Sequence, residues 1–242
     1  MVFTLSDVDS AAQAPAQELA VDPKQAIAGS LGALQWGMSK ADLIKQLKVQ
    51  VRAEFEQRIK VERDIMRQDA IYQEFKERAQ RLGENFVLFE GAKTGWDVSP
   101  IAREFARDNH ESMLVVTGKG TRDMYFFMQG KLWKWYREID REAGDGASEP
   151  EALKRRFGAG KAQKDRRDDE NVPYPGTTWS DGTTRVTSLR RGAETCLILE
   201  EQSTLDNLEK LRARARASAN KSSDKVIDLI LLSDDERKER GL

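Results

Sequence analysis

Residues 124–136 read Met-Tyr-Phe-Phe-Met-Gln-Gly-Lys-Leu-Trp-Lys-Trp-Tyr, two apolar runs separated by Gln129-Gly130. Aromatic residues are enriched in β-strands. Glycine accepts the positive φ that a two-residue type I′ turn requires. The sequence therefore predicts a β-hairpin in which Met124–Met128 pairs with Lys131–Ile139.

Regular alternation of side chains makes both faces of this hairpin apolar. It predicts two cross-strand pairs on each face: Phe127–Leu132 and Tyr125–Lys134 on one, Phe126–Trp133 and Met124–Trp135 on the other. Two interpretations follow. Either helices or a second sheet cover both faces, or one face is a binding surface.

The face that carries Lys134 and Asp123 is the better candidate for exposure, because charged side chains are rarely buried. We call this candidate partner-binding surface the hairpin face. Its members are Tyr125, Phe127, Leu132, Lys134 and Tyr136. An exposed aromatic surface of this kind would fit a protein partner.

A long helical segment precedes the hairpin. Ser39 with Asp42 resembles a capping box, in which side-chain oxygens accept hydrogen bonds from the first free backbone N–H groups. Apolar residues then recur at helical spacing, with charged residues between them, up to Gly83. The stripe is interrupted over 64–69. We expect either one bent helix or a helical hairpin from Ser39 to Leu82, whose charge marks a solvated outer face or an interaction surface.

The remaining segments predict an α+β fold, with antiparallel sheets backed by helices. A helix is expected over Pro150–Phe157, a solvated or disordered loop over 161–171, and a further helix capped by Ser203 or Thr204. Ile101–Arg107 is ambiguous and favours a strand. Four parts follow: a disordered leader (1–30), helices plus antiparallel sheet (31–140), a second helix-plus-sheet unit (147–217) and a flexible tail (218–242).

The two halves share a plan of helix followed by strands, which favours a duplicated unit. Residues 127–130 and 179–182 would be equivalent aromatic-x-x-Gly turns. The duplicated units would build two sheets or one extended sheet.

The stretch Trp36-Gly37-Met38-Ser39-Lys40-Ala41-Asp42-Leu43 resembles the helix opening of the BamE/SmpA and β-lactamase-inhibitor-protein type of module. That resemblance implies a helix followed by antiparallel sheet, and protein binding or scaffolding without chemistry. Residues 111–116 and 130–136 are also similar to uncharacterised myxobacterial proteins. No binding residues carry over, because the helical extension over 49–82 is foreign to the small members of the superfamily.

Composition excludes several classes of function. The 242-residue chain has a formal net charge of -1, with one cysteine and one histidine. The single Cys196 lies in an apolar run and predicts a buried small side chain. Neither it nor His110 sits in a catalytic or metal-binding motif. We therefore expect no enzyme activity, no cofactor and no metal.

Two basic segments support an alternative function, binding of nucleic acid or another phosphoanion. The first spans 154–167 and the second 212–216. Their cations are Lys154, Arg155, Arg156, Lys161, Lys164, Arg166 and Arg167 in the first, and Arg212, Arg214 and Arg216 in the second. Acidic residues follow the first segment at once, so solvated helix faces are the competing interpretation.

The sequence has no run of 18 to 20 apolar residues that would predict a membrane span. Residues 1–30 lack the basic and apolar regions of a signal peptide. A cytoplasmic location is expected, or export to the periplasm if the start codon lies further upstream. We therefore expect a non-catalytic interaction or scaffold module for an unknown protein partner, and the sequence does not give its oligomeric state.

Overall fold

The computed structural model describes residues 22–91, 104–140, 150–168 and 170–217. The helices are α1 (Pro23–Ala28), α2 (Lys40–Val61), α3 (Ile65–Arg81), α4 (Pro150–Phe157) and α5 (Gln202–Asp206), with a 3-10 turn at Gly29–Leu31. The chain is helical again over 208–217. The strands are β1 (Phe86–Leu88), β2 (Glu111–Gly118), β3 (Thr121–Met128), β4 (Lys131–Asp140), β5 (Lys161–Ala162), β6 (Gly176–Ser180), β7 (Thr184–Arg191) and β8 (Glu194–Glu201).

All eight strands form one antiparallel sheet, in the order β1-β2-β3-β4-β8-β7-β6-β5. The predicted α+β class is confirmed. Each half of the chain contributes four consecutive strands, and β4 pairs with β8 at the centre. A half-turn about an axis through the middle of the sheet therefore exchanges the positions of β1–β4 with those of β5–β8.

The predicted equivalence of residues 127–130 with 179–182 is wrong. The first turn joins β3 to β4, whereas the second joins β6 to β7. The half-turn pairs the β3–β4 turn with the turn at Gly192 between β7 and β8 instead. Short aromatic-x-x-Gly motifs suit any tight β-turn, so this one did not identify related positions.

Both faces of the sheet are covered. On the first face, side chains of β2, β3, β4 and β8 pack against α1, α2 and α4, with Leu47, Phe55 and Phe157 among the buried helix residues. The second face is covered by the loops before β2 and β6 and by the C-terminal helical segments, through Phe105, Tyr174, Leu205, Leu208 and Leu211. The two apolar clusters lie back to back across the sheet.

Helix α2 begins where the sequence predicts. The backbone of Ser39 is extended, its hydroxyl accepts a hydrogen bond from Asp42 N–H at 3.2 Å, and it donates to Asp42 Oδ2 at 2.7 Å. The segment to Leu82 is a helical hairpin, since α2 ends at Val61 and α3 starts at Ile65. Gly83 follows α3 with φ +99°. The hairpin alternative of the prediction is therefore the correct one.

Several expectations differ from the structure. Residues 22–30 do not belong to a disordered leader, because α1 buries Ala26 and Ile27 against the sheet. Residues 104–107 are not a strand. The last helix starts at Gln202, earlier than a Ser203 or Thr204 cap would place it. The expectations for residues 1–21, 141–149 and 218–242 lie outside the described residues.

Within the described ranges, no helix is long and apolar enough to cross a membrane.

Candidate functional site

The β3–β4 hairpin forms as predicted at its turn. Gln129 and Gly130 have φ values of 51° and 75°, the left-handed pair of a type I′ turn. Phe127 pairs with Leu132 as expected. Beyond that pair the register shifts between Phe126 and Phe127, so Phe126 pairs with Lys134.

This irregularity is a β-bulge that rearranges the faces. The extra residue on β4 breaks the alternation, so Lys134 lies on the same side as Trp133 and contacts the ring of Phe126. Tyr125 then pairs with Trp135, and Met124 with Tyr136. The predicted pairs that involve Phe126, Met124 and Tyr125 are wrong for this reason.

The hairpin face is not exposed. Its five members, Tyr125, Phe127, Leu132, Lys134 and Tyr136, are each at most 2% exposed. The bulge also divides them. Tyr125, Phe127 and Leu132 belong to the helix-covered first face, whereas Lys134 and Tyr136 point to the second. The expectation of an exposed aromatic surface is wrong, and these residues are core.

Lys134 forms the centre of a buried ion-pair cluster on the second face. Its ammonium donates to the Glu104 carboxylate and to the Glu104 backbone oxygen, the latter at 2.8 Å. Both side chains are at most 1% exposed. Arg166 joins Glu104, at 2.8 Å, to Glu200 of β8. The cluster thus ties the loops before β2 and β6 to the sheet.

The cluster is electrically balanced. Arg185 of β7 lies 3.5 Å from Glu200 and 2.8 Å from the more exposed Asp165. Three cations therefore face three carboxylates. Balance of this kind is what buried charges require to avoid a large desolvation penalty.

Burial and pairing act against each other on the ionisation of the cluster. Burial is the largest influence on Lys134 and lowers its pKa below the ordinary value, despite the attraction of Glu104. For Glu104, burial alone would raise the pKa, but Lys134 and Arg166 together lower it. The carboxylate form of Glu104 is therefore held in place by its cationic neighbours.

The basic segments lose part of their charge to internal pairs. Arg166 is in the buried cluster, and Arg212 forms a two-bond ion pair with Glu111 at 2.8 and 3.2 Å. Exposed cations remain on α4 at 154–156 and near the C-terminal end at Arg214 and Arg216. Residues 161–171 are not simply a solvated loop, because they include β5 and the buried Gln163.

Cys196 is fully buried on the second face, and the prediction of a buried small side chain is confirmed. Burial raises the pKa of its thiol. His110 is exposed in a turn, with Nδ1 2.9 Å from Glu90 Oε1. Among the residues that the structure describes, no group of three or more His, Cys, Asp or Glu is arranged to hold a metal ion.

The helical hairpin is the most exposed part of the fold. Helix α2 buries Leu43, Leu47, Val51 and Phe55, and α3 buries no residue. Helix α3 packs mainly against α2. The six residues from 56 to 61 extend about 9 Å past the last buried residue of α2. The end of the hairpin is therefore surrounded by solvent.

Aromatic packing and ion pairs hold the two helices together. Phe55 and Phe75 have ring centroids 5.8 Å apart. Arg58 donates two hydrogen bonds to Glu74, at 2.8 and 3.1 Å, and Arg78 pairs with Glu54 at 3.0 Å. Exposed pairs of this kind contribute little each, so the hairpin depends mainly on its aromatic contact.

The tip of the hairpin exposes three apolar side chains. Val61, Ile65 and Met66 are 80%, 79% and 79% exposed, on either side of the connection Glu62-Arg63-Asp64. We call these three residues the hairpin tip. Scattered exposed apolar residues are ordinary, but three together at the end of a projecting element form a patch.

No protein family, curated protein or solved structure matches the chain.

Sequence reasoning missed both the buried cluster and the hairpin tip. A signal existed for the cluster, since Lys134 stands between two tryptophans and Glu200 ends the apolar run of β8. Isolated charges in buried strands require partners. For the tip, the signal was the position of Val61 and Ile65 around a charged helix break, where no packing partner follows in sequence.

Proposed function

We propose that this chain is a non-catalytic interaction module that binds a protein partner through the hairpin tip. The observation that carries the proposal is the nearly complete exposure of Val61, Ile65 and Met66 at the end of the projecting helices. Burying one such side chain contributes about 1.5–3 kcal/mol. Three of them contribute about 4.5–9 kcal/mol, which is of the same order as the cost of association, so the tip serves as the apolar anchor of a contact that also uses the charged residues around it.

The chemistry of the tip indicates the partner surface. Charges of both signs surround the apolar centre, from Glu62, Arg63 and Asp64 in the connection. A complementary partner has an apolar pocket with a mixed-charge rim, as in protein interfaces generally. A phosphate backbone offers neither.

The resemblance of residues 36–43 to protein-binding modules and the rigid attachment of the helical hairpin to the sheet both favour a role in protein binding. The motif at residues 36–43, which resembles protein-binding modules, couples α2 to the sheet: Gly37 N–H donates to Leu132 O at 2.8 Å, and Leu132 N–H donates to Met38 O at 2.9 Å. The hairpin base is thus rigidly positioned. A rigid scaffold with an exposed end lowers the ordering cost of binding.

The alternative of phosphoanion binding has less support. Arg166 and Arg212 already pair with buried carboxylates, so each basic segment keeps only part of its predicted charge. The exposed cations of α4 are the main remaining candidates.

The test is a quantitative affinity purification from the native cell with the full chain. The triple variant V61S/I65S/M66S should enrich the specific partner at least tenfold less than the wild type does, because the variant has lost the apolar side chains of the tip. The matched control is L88S/V172S, which changes two exposed apolar residues away from the tip. Equal capture by both variants would contradict the proposal. Salt-sensitive binding of single-stranded RNA or DNA, unchanged in the tip variant, would favour phosphate binding instead.

A further inference from the structure

A second apolar surface lies near the base of the helical hairpin. It is a groove of about 470 Å³ between α2 and α3, with an apolar floor formed by Ile44, Val49, Phe75 and Ala79. Val49 is 58% exposed there. The rim carries Lys45, Lys48 and Arg52, and the residues that line the groove include no acid. The groove suits an apolar segment with negative charges.

The chain contains such a segment. Residues 224–236 read Asp-Lys-Val-Ile-Asp-Leu-Ile-Leu-Leu-Ser-Asp-Asp-Glu. Six of the seven residues from 226 to 232 are apolar, and the whole segment holds five acids and one lysine. Its apolar centre matches the floor of the groove, and its net negative charge matches the basic rim.

The last described residues lie close enough to α2 for this segment to reach the groove. Arg212 is fixed to Glu111, the first residue of β2, and α2 starts beside Leu132 near the beginning of β4. Because Glu111 pairs with Met128 and Met128 with Lys131, both points lie at the same end of the sheet, two strands apart. They are on opposite faces of it.

The distance to be covered has three parts. Two strand spacings make about 10 Å, the packing layers on the two faces of the sheet make about 20 Å together, and two turns along α2 add about 11 Å. The thirteen residues 218–230 could span up to about 43–47 Å if extended, which exceeds the sum of these displacements. The segment can therefore reach the groove of its own chain.

We propose that residues 224–236 bind in the groove between α2 and α3 of the same chain. The apolar side chains cover Val49 and Phe75, and the acids approach Lys45 and Lys48. This contact is separate from the hairpin tip, and it stands whether or not the tip binds a partner.

Disulfide trapping in the full chain tests the proposal. The variant V49C/I230C should form an intramolecular disulfide at least tenfold faster than the control V61C/I230C, whose first cysteine lies at the distant tip. Native Cys196 is fully buried in both. Charge reversal K45E/K48E should remove the advantage, and adding D234K/D235K should restore it. Circular dichroism confirms that each variant is folded.

Three results would overturn the proposal. Equal trapping rates in the test and control pairs would show no preference for the groove. Disulfides formed only between chains, with a dependence on protein concentration, would assign the groove to a second copy. Trapping that is insensitive to K45E/K48E would remove the charge complementarity on which the choice of this segment rests.

Discussion

Replacing Glu104 by Gln should destabilise the fold more than replacing its partner Lys134 by Met. In E104Q, the Lys134 ammonium loses the negative charge of its partner and keeps only neutral contacts, which are the backbone oxygen of residue 104 at 2.8 Å, the rings of Phe126 and Trp133 at 4.2 and 4.8 Å, and an amide oxygen in place of the carboxylate. Arg166 also loses a carboxylate at 2.8 Å. A buried charge left without its partner costs about 3–5 kcal/mol.

The reverse change is milder. In K134M, Glu104 still pairs with Arg166, and the desolvation cost of a fully buried lysine disappears. K134M still removes one hydrogen-bond donor from the Glu104 carboxylate, which should lower the free energy of unfolding by about 1–3 kcal/mol. The double variant E104Q/K134M should be more stable than E104Q alone, because neither buried charge of the pair is then present.

Urea unfolding at pH 7, followed by circular dichroism, measures all four proteins of this cycle. With m of about 2–3 kcal/mol/M, E104Q should lower the midpoint by about 1–2 M. If E104Q does not fold, recovery of folding in the double variant still reports the coupling. Strictly additive effects, or a larger loss in K134M than in E104Q, would refute the argument that the pair is fully desolvated.

Two further results are expected. Burial alone would raise the pKa of Glu104, but Lys134 and Arg166 together lower it below the ordinary value. The stability that this gives is complete above the ordinary glutamate pKa of about 4.3 and is lost as the pH falls through the lowered pKa, so the advantage of the wild type over E104Q in free energy of unfolding should shrink below about pH 4.3. A constant difference in urea titrations across this range would contradict it. W179F should cost about 1–2 kcal/mol and speed hydrogen exchange in α4, since Trp179 Nε1 donates to Gly158 O at 2.8 Å and its ring packs on Phe157; unchanged exchange would show that this contact does not hold α4.

The elements with local sequence signals were predictable. Gln129-Gly130 fixed the turn between β3 and β4, and Ser39 fixed the start of α2, because both act through backbone conformation within a few residues. The faces of the hairpin were not predictable. One bulged residue on β4 moves Lys134 to the other side of the sheet, and nothing between Leu132 and Trp135 in sequence marks it.

The candidate site was less predictable than the fold, because it depends on contacts between distant parts of the chain. Arg166 reads as one cation in a mixed-charge run, yet it meets Glu200 thirty-four residues later. The hairpin tip required knowing that α3 turns back on α2. Composition alone predicts a solvated or disordered loop around Arg166 and a solvated charged helix at the tip.

The position of β4 beside β8 determines how the chain can be divided. If residues 22–140 were expressed alone, the seven residues of β4 that pair with β8, Lys134 to Asp140, would have no neighbouring strand on that side. An uncapped edge of that length recruits another strand. Because β4 and β8 hold equivalent places in the two halves, a second copy of the same fragment offers a β4 in the right orientation. Two copies of the separated fragment would therefore pair through their β4 strands. The full chain avoids this because its own β8 already pairs with β4.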